Sequence, residues 1–202
     1  MKLVLATGNQ GKVRELKRIL GDLNIEVLSL KDFPQIGEIV EDGATFTENA
    51  VIKARAVTKA VNLIALADDS GLEVDCLDGA PGIYSARFAG EGKSDADNNE
   101  KLLALMRDVP TEKRTARFRC VIAICTPGGE LFTADGTCAG FIGFKLKGDQ
   151  GFGYDPLFYL PEYEQTFAEL DAELKNKISH RGRALGKIKN LLAGLLERVE
   201  ND

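Results

Sequence analysis

The stretch LVLATGNQGKVREL, residues 3–16, joins a short apolar run, a turn of glycine and polar residues, and a helix-forming segment. The apolar run predicts a buried strand over residues 2–6, and the apolar spacing after the turn predicts an amphipathic helix from about Lys12 to Leu20. The segment IEVLSL, residues 25–30, predicts a second strand. This order of strand, glycine turn, helix and strand indicates an α/β fold.

The next part of the chain predicts a second helix followed by a strand. Thr45 and Glu48 have the spacing of a capping box, and apolar residues at helical spacing follow them. Residues 62–68 are apolar enough for a buried strand, and we expect this strand to end in an acidic turn, DDSG, at residues 68–71. Residues 78–93 are rich in glycine and polar groups and predict a loop.

The second half of the chain predicts a hairpin and a C-terminal helix. Residues 115–126 and 129–143 have the alternation of paired strands, and Pro127-Gly128-Gly129 supplies the turn. A helix is expected from Arg183, because apolar residues then recur along one face. The residues of that face are Leu185, Ile188, Leu192, Leu195 and Val199.

Composition describes an ordinary globular chain and excludes several classes of protein. Of its 202 residues 44% are hydrophobic and 28% charged, and the net charge of −5 argues against a general nucleic-acid binder. The four cysteines form no CxxC pair and no zinc-like spacing. No secretory core and no membrane-spanning run is evident in the sequence, so we expect a cytoplasmic protein that does not enter a membrane.

The segment TGNQGK, residues 7–12, is a candidate phosphate-binding turn. It is not a Walker loop, because Ala6 stands where the first glycine belongs and Val13 follows the lysine in place of Ser or Thr. A turn between a strand and a helix nevertheless aims backbone N–H groups and the positive end of the helix dipole at one point. Thr7, Asn9 and Lys12 would add side-chain contacts. The alternative is a plain strand-to-helix turn with a surface lysine.

Two acidic segments are candidates for cation binding. Asp68 and Asp69 follow an apolar strand, and Glu41 and Asp42 precede a predicted helix. Carboxylate oxygens are the ligands that Mg²⁺ takes from proteins, and a carboxylate can also accept a proton from water. The alternative is a solvated turn, in which Asp, Ser and Gly are all common.

Two further segments carry groups suited to a flat, polar ligand. GFGYDP, residues 151–156, combines glycines with Phe152, which could stack on a base, although Phe152 and Tyr154 could equally well pack the loop onto the core. ISHRG, residues 178–182, holds the single histidine of the chain, His180, next to Arg181. A lone histidine is usually structural, whereas the fixed donor fork of an arginine favours polar recognition.

Taken together and in this order, these segments resemble the inosine triphosphate pyrophosphatase family, the dITP/XTP pyrophosphatases that act on non-canonical purine nucleotides. The resemblance extends over residues 3 to 185. The matching segments are LATGNQGKVREL, FTENAVIKAR, ALADDSGLEVDCLDGAPGIYSARFAG, GFGYDPLF and KISHRGRAL.

The resemblance implies a single domain over residues 1–202 with an α/β fold. It implies a long mixed sheet flanked by helices, in two lobes with a central active-site cleft and no separable linker. It also implies a homodimer that uses Mg²⁺ to cleave dITP, ITP and XTP between the α and β phosphates, releasing a nucleoside monophosphate and diphosphate. The cellular role of the family is to cleanse the nucleotide pool.

The resemblance also implies roles for individual residues. Asp69 is the expected proton acceptor, Glu41 and Asp69 the metal ligands, and Asp68 a neighbouring support. The expected substrate contacts are Thr7, Gly8, Asn9, Gln10, Gly11, Lys12, Lys53, Ser70, Phe152, Gly153, Tyr154, Asp155, Lys175, His180 and Arg181.

Three other functions are weighed against this one. A related pyrophosphatase acting on other modified nucleotides shares the opening turn, but SHRG and FGYD favour deaminated purines. A phosphotransferase is disfavoured by the broken Walker pattern. A nucleotide sensor without catalysis would lack a carboxylate, and Glu41, Asp68 and Asp69 are all present.

Overall fold

The computed structural model describes residues 2–23 and 25–201, with side chains as far as residue 195. In this part of the chain the strands are β1 Lys2–Leu5, β2 Glu26–Ser29, β3 Ile64–Val74, β4 Thr115–Cys125, β5 Leu131–Ile142, β6 Phe158–Leu160 and β7 Gln165–Thr166. The α-helices are α1 Gln10–Ile19, α2 Phe46–Val61, α3 Asp95–Leu105, α4 Ala172–Ile178 and α5 His180–Asn201. None of the described helices is both long and apolar enough to cross a membrane.

The strands form one seven-stranded sheet with the order β2-β1-β3-β4-β5-β6-β7. β1 pairs in parallel with β2 and β3, with Leu3 opposite Val27 on one side and Ile64 on the other. β6 pairs antiparallel with both β5 and β7. A mixed sheet accompanied by helices confirms the predicted α/β class.

The chain forms two compact units, and the first is built on the parallel strands. It comprises the residues up to Asp69, the segment Cys120–Gly136 and the residues from Arg181 onward. Its apolar core is supplied by β1, β3, β4, α1 and α5, as the alternation and helical spacing predicted. The predicted stripe of α5 enters this core through Leu185, Ile188, Leu192 and Leu195, whereas Val199 lies outside the residues whose side chains are described.

The second unit comprises Ser70–Arg119 and Thr137–His180 and has a core of its own. Three phenylalanines pack at its centre. The ring centroid of Phe118 lies 4.7 Å from that of Phe158, and the centroids of Phe158 and Phe167 lie 4.9 Å apart. Aromatic pairs at such spacings add to the stabilisation that burial alone provides.

The predicted acidic turn at DDSG is wrong, because β3 continues through it from Ile64 to Val74. Asp68 and Asp69 are therefore strand residues, exposed by only 1% and 8%. Aspartate is disfavoured in strands, but here lysine and arginine side chains from the helices neutralise both carboxylates, as described below. The predicted loop at residues 78–93 is also partly wrong, since Gly82–Arg87 forms a 3-10 helix.

Two helix starts differ from the sequence predictions, and a third helix has only part of its predicted cap. α1 begins at Gln10, two residues early, because the side chain of Asn9 caps it. α5 begins at His180, so His180 and Arg181 lie in its first turn. Thr45 caps α2 as predicted, but Glu48 accepts its hydrogen bond from the N–H of Ala44, so the reciprocal half of the capping box is not formed.

Candidate active site

The TGNQGK segment leads from β1 into α1, as the sequence predicted, with residues 7–9 before the helix and residues 10–12 in its first turn. Asn9 Oδ1 accepts hydrogen bonds from the N–H groups of Gly11 and Lys12 at 2.8 and 3.2 Å. Thr7 Oγ1 accepts from the N–H of Asn9 at 3.2 Å. The expectation that the backbone donors of this turn are free for phosphate is therefore wrong for Gly11 and Lys12, because asparagine is a strong helix cap and uses them itself.

Asp68 is the centre of a buried ion cluster in the first unit. Its carboxylate lies 2.5 Å from Lys12 Nζ of α1 and accepts a 2.9 Å hydrogen bond from Arg181 Nε of α5. Arg181 also donates from Nη2 to Asp68 and from Nη1 to Glu15 of α1. The thiol of Cys120 donates to the same carboxylate at 2.9 Å. One strand residue thus ties both neighbouring helices to the sheet.

The charge of Asp68 is set by this cluster. Burial alone would raise its pKa, but the positive charges of Arg181 and Lys12 hold the pKa well below its ordinary value. Burial raises the pKa of the Cys120 thiol well above its ordinary value, and the neighbouring Asp68 charge adds to this rise. Asp68 is therefore an anion and Cys120 a neutral donor, which excludes Cys120 as a thiolate nucleophile.

Asp69 belongs to a second cluster in the same unit, built around Lys53 of α2. Lys53 Nζ lies 2.7 Å from Asp69 Oδ1 and 2.7 Å from Glu41 Oε2. Burial would lower the pKa of Lys53, but Asp69 and Glu41 raise it above its ordinary value. Burial raises the pKa of Asp69 against the opposing charges of Lys53 and Lys12, and Glu41 adds to the rise. Asp69 is accordingly a better proton acceptor than an ordinary aspartate.

The second cluster has the chemistry of a site for a hard cation. Glu41 and Asp69 present oxygens to one point, where the ammonium of Lys53 now supplies the positive charge. In the described residues no group of three or more His, Cys, Asp or Glu side chains could hold a metal by itself. Two carboxylates fit Mg²⁺, which binds through one or two carboxylates and completes its shell with water and substrate phosphates.

The GFGYD segment forms a tightly held loop of the second unit, residues 151–155. Asp155 Oδ2 accepts a hydrogen bond from the N–H of Phe152 at 2.8 Å and lies 2.6 Å from Lys175 Nζ of α4. The same ammonium lies 5.3 Å from the centroid of the Phe152 ring. Gly151 is required here, since it has φ of +78° and a Cβ at this position would collide with Asp155 Oδ2. Tyr154 donates to the carbonyl of Ser85 at 2.9 Å.

The remaining predicted site residues are Ser70 and His180, both in the second unit. Ser70 follows Asp69 in β3 and is partly exposed. His180 is 4% exposed, and its ring stacks on Phe118 with centroids 4.7 Å apart and planes 11° apart. This stacking gives His180 a packing role, which is the usual one for a lone histidine.

Two residues of the Asp68 cluster and one role of Arg181 were not predicted from the sequence. Glu15 could have been found, because it lies three residues after Lys12 and therefore on the same face of α1. Cys120 could have been placed only by its inward position in β4. The pairing of Arg181 with Asp68 joins residues far apart in the chain, and no local pattern predicts it.

Comparison with known proteins shows which family this chain belongs to. The sequence profile of the Ham1 family matches residues 3–191. The dITP/XTP pyrophosphatase of Desulforamulus reducens is 60% identical over 192 residues, which is 95% of this chain and 96% of that protein. The dITP/XTP pyrophosphatase of Listeria monocytogenes is 52% identical over 198 residues and covers 98% of both chains.

Solved structures of Ham1 proteins have the same fold as this chain. The HAM1 protein of Coxiella burnetii superposes with a TM-score of 0.85 at 41% identity, covering 96% of this chain and 99% of the other. The Ham1 protein of Staphylococcus aureus superposes with a TM-score of 0.82 at 44% identity, covering 98% of each chain.

Asp68→Asn is expected to lower the free energy of unfolding by about 3 kcal/mol, because it leaves Arg181 and Lys12 without their shared buried anion. For a chain of this size the melting temperature should fall by roughly 6–12 °C. The matched control is Asp75→Asn, which removes an exposed carboxylate paired with Arg117 and should change stability by less than about 1 kcal/mol. Equal melting temperatures for the parent and Asp68→Asn would contradict a stabilising role of the cluster.

Proposed function

Because this chain belongs to the Ham1 family, we propose that it hydrolyses dITP, ITP and XTP to the nucleoside monophosphate and diphosphate. The observation that carries the proposal is the pair of carboxylates that meet at Lys53 of α2, namely Asp69 of β3 and Glu41 of the segment before α2. A hydrolase of phosphoanhydrides needs this combination of a proton acceptor, a site for a hard cation and a positive charge.

We assign the triphosphate to the first unit. A triphosphate brings about four negative charges, which lysines and backbone donors must neutralise. Lys12 and Lys53 supply the positive charge, although both now pair with carboxylates. The other proposed phosphate contacts lie next to these groups in the chain. They are Thr7, Gly8 and Asn9 before α1, Gln10 and Gly11 at its start, and Ser70, which follows Asp69.

We assign the base and sugar chiefly to the second unit. Phe152, Gly153, Tyr154 and Asp155 form the held loop, and Lys175 is fixed against it by Asp155. His180 and Arg181 are the other proposed contacts. The guanidinium nitrogens of Arg181 already donate to Asp68 and Glu15, so its first role is to hold Asp68. Whether Arg181 also contacts the base can be read from the ITP-to-ATP ratio of Arg181→Ala.

The hydrolytic step follows from the positions of the acidic and basic groups. Asp69 accepts a proton from water while the water oxygen attacks phosphorus. The bond between the α and β phosphates breaks, and diphosphate leaves with the electron pair of that bond. Lys53 and Lys12 offset the negative charge that builds up on the phosphate oxygens.

We further propose that Mg²⁺ is the cofactor and that Glu41 and Asp69 hold it. When bound, Mg²⁺ neutralises phosphate charge and polarises phosphate oxygens. The all-oxygen donor pair supports Mg²⁺ over zinc, which prefers nitrogen and sulfur ligands.

We propose one domain, because the chain passes between its two units several times and no single linker separates them.

Self-association as a homodimer is proposed on the family resemblance, and the molar mass in solution decides it. A cytoplasmic location is proposed because nucleotide substrates are found there, and cell fractionation tests it. A related pyrophosphatase acting on other modified nucleotides is the remaining alternative.

With a panel of five nucleotides, we expect ITP, dITP and XTP to be cleaved much faster than ATP or GTP. Each polar mismatch at the purine edge should cost about 1–3 kcal/mol, roughly 5- to 150-fold in kcat/KM. The measurement is kcat/KM together with identification of the phosphate product. Release of orthophosphate in place of diphosphate, or equal rates on all five nucleotides, would exclude the proposed activity.

Asp69→Asn is expected to leave the protein folded and to lower turnover by about 10²-fold or more, because the proton acceptor is lost. The control is Asp42→Asn, which neutralises an exposed carboxylate beside Glu41 and should leave turnover near the parental value. Initial rates and thermal melting measure both effects. A folded Asp69→Asn protein with normal turnover would remove Asp69 from the mechanism.

Chelation of divalent metal is expected to abolish activity, and added Mg²⁺ should restore it, because without the cation the two carboxylates repel the negatively charged triphosphate. Diphosphate release in EDTA, before and after excess Mg²⁺, measures this. Undiminished activity in EDTA would refute the metal assignment of Glu41 and Asp69.

A further inference from the structure

Two residues of α3 hold the loop 151–155 at its second glycine, Gly153. Asp95 Oδ2 accepts a hydrogen bond from the N–H of Gly153 at 2.8 Å. Asn99 Nδ2 donates to the carbonyl of Gly153 at 2.8 Å. The peptide group before Gly153 and the one after it are therefore both bound by the same helix, one turn apart.

These two bonds act at a glycine, where the backbone has more conformational freedom than at other residues. The peptide groups are rigid planes, so the conformation at Gly153 depends on its φ and ψ alone. Gly153 has φ of +62°, a region that glycine enters easily but also leaves easily. Fixing the planes on both sides fixes φ and ψ together, and it also fixes the Cα–C bond of the neighbouring Phe152, which lies in the first of these planes.

The side chain of Asn99 is buried and donates two hydrogen bonds to backbone carbonyls. It is 4% exposed, and Nδ2 also donates to the carbonyl of Asp95 at 2.9 Å, so the amide bridges α3 and the loop. Two carbonyl acceptors fix which end of the amide is nitrogen. Among the described residues Asn99 Oδ1 accepts no hydrogen bond, so the polar contacts of this side chain are those two donations.

We propose that Asp95 and Asn99 are positioning residues that fix Gly153, and through it the loop 151–155, for selection of the purine base. The proposal rests on the proposed function, in which this loop contacts the base. Deaminated purines differ from adenine and guanine by single polar groups, so a loop displaced by about 1 Å loses much of its discrimination.

The same helix provides a matched control. Asn98 is 2% exposed and also makes two hydrogen bonds with backbone, accepting from the N–H of Ala89 and donating to the carbonyl of Ala86. Those bonds hold a different segment. Asn98→Ala and Asn99→Ala therefore remove the same atoms and the same number of bonds from neighbouring buried sites, and only Asn99→Ala releases Gly153.

The first measurement does not depend on activity. Hydrogen exchange of the peptide containing residues 152–154 is expected to be about 10-fold or more faster in Asp95→Ala than in the parent protein, because the N–H of Gly153 loses its acceptor. It should also be faster in Asn99→Ala, because the loop opens more often once the carbonyl of Gly153 is released from α3. Asn98→Ala should leave it unchanged. Asp95→Asn retains a side-chain oxygen for the Gly153 N–H and should restore slow exchange. Unchanged exchange in both Asn99→Ala and Asp95→Ala overturns the proposal.

The second measurement tests selectivity. Asn99→Ala should raise KM for ITP and lower the ITP-to-GTP ratio of kcat/KM by about 10-fold, with a smaller change in kcat. Asn99→Asp, which keeps the shape but loses both donations, should do the same, and Asn98→Ala should keep the parental ratio. If Asn99→Ala and Asn98→Ala lose the same stability and both keep the ratio, Asn99 is only structural. If the parent protein cleaves no deaminated purine nucleotide, the proposed function fails. The exchange measurement alone then decides whether Asp95 and Asn99 fix Gly153.

Discussion

The alternation of side chains along β3 is the constraint on which the first unit depends. Successive residues of a strand point to opposite faces of the sheet, so the adjacent Asp68 and Asp69 cannot share one environment. Asp68 meets Lys12 of α1 and Arg181 of α5, while Asp69 meets Lys53 of α2. Two neighbouring carboxylates are thereby given different partners, different pKa shifts and different tasks. One stays a buried anion that ties helices to the sheet, and the other becomes the better proton acceptor.

Local sequence patterns predicted the strand and the helix at the start of this unit but not the partners of the two aspartates. The apolar run and the glycine turn at residues 3–12 predicted β1 and the start of α1 nearly correctly, because burial and turn chemistry are both local signals. The DDSG segment was predicted as a turn, since Asp, Ser and Gly are turn residues in most contexts. What keeps it in a strand is neutralisation by lysine and arginine from three helices, and such partners are invisible in the local pattern.

Arg181 illustrates the same limit at the level of a single side chain. Its position beside His180 suggested a donor fork free for a ligand. In the folded chain the fork is buried, and its nitrogens donate to Asp68 and Glu15. An arginine so placed costs a large desolvation penalty, which only paired carboxylates in good geometry offset. Its chemistry was predictable from residue type, but its partners depended on the packing of α1, α5 and β3, which residue type does not encode.

Selective hydrolysis of deaminated purines also requires accurate placement of backbone, since hypoxanthine and guanine differ by one amino group. A polar mismatch is costly only if the contacting groups cannot move to relieve it. A glycine-rich loop is poorly suited to rejecting a mismatched base, because its backbone can move to relieve the mismatch. The loop 151–155 resolves the conflict by being held from several directions: Lys175 holds Asp155, Ser85 accepts from Tyr154, and α3 holds Gly153. The glycines permit the conformation, and these contacts remove the alternatives, which is what the proposed role of this loop in base selection requires.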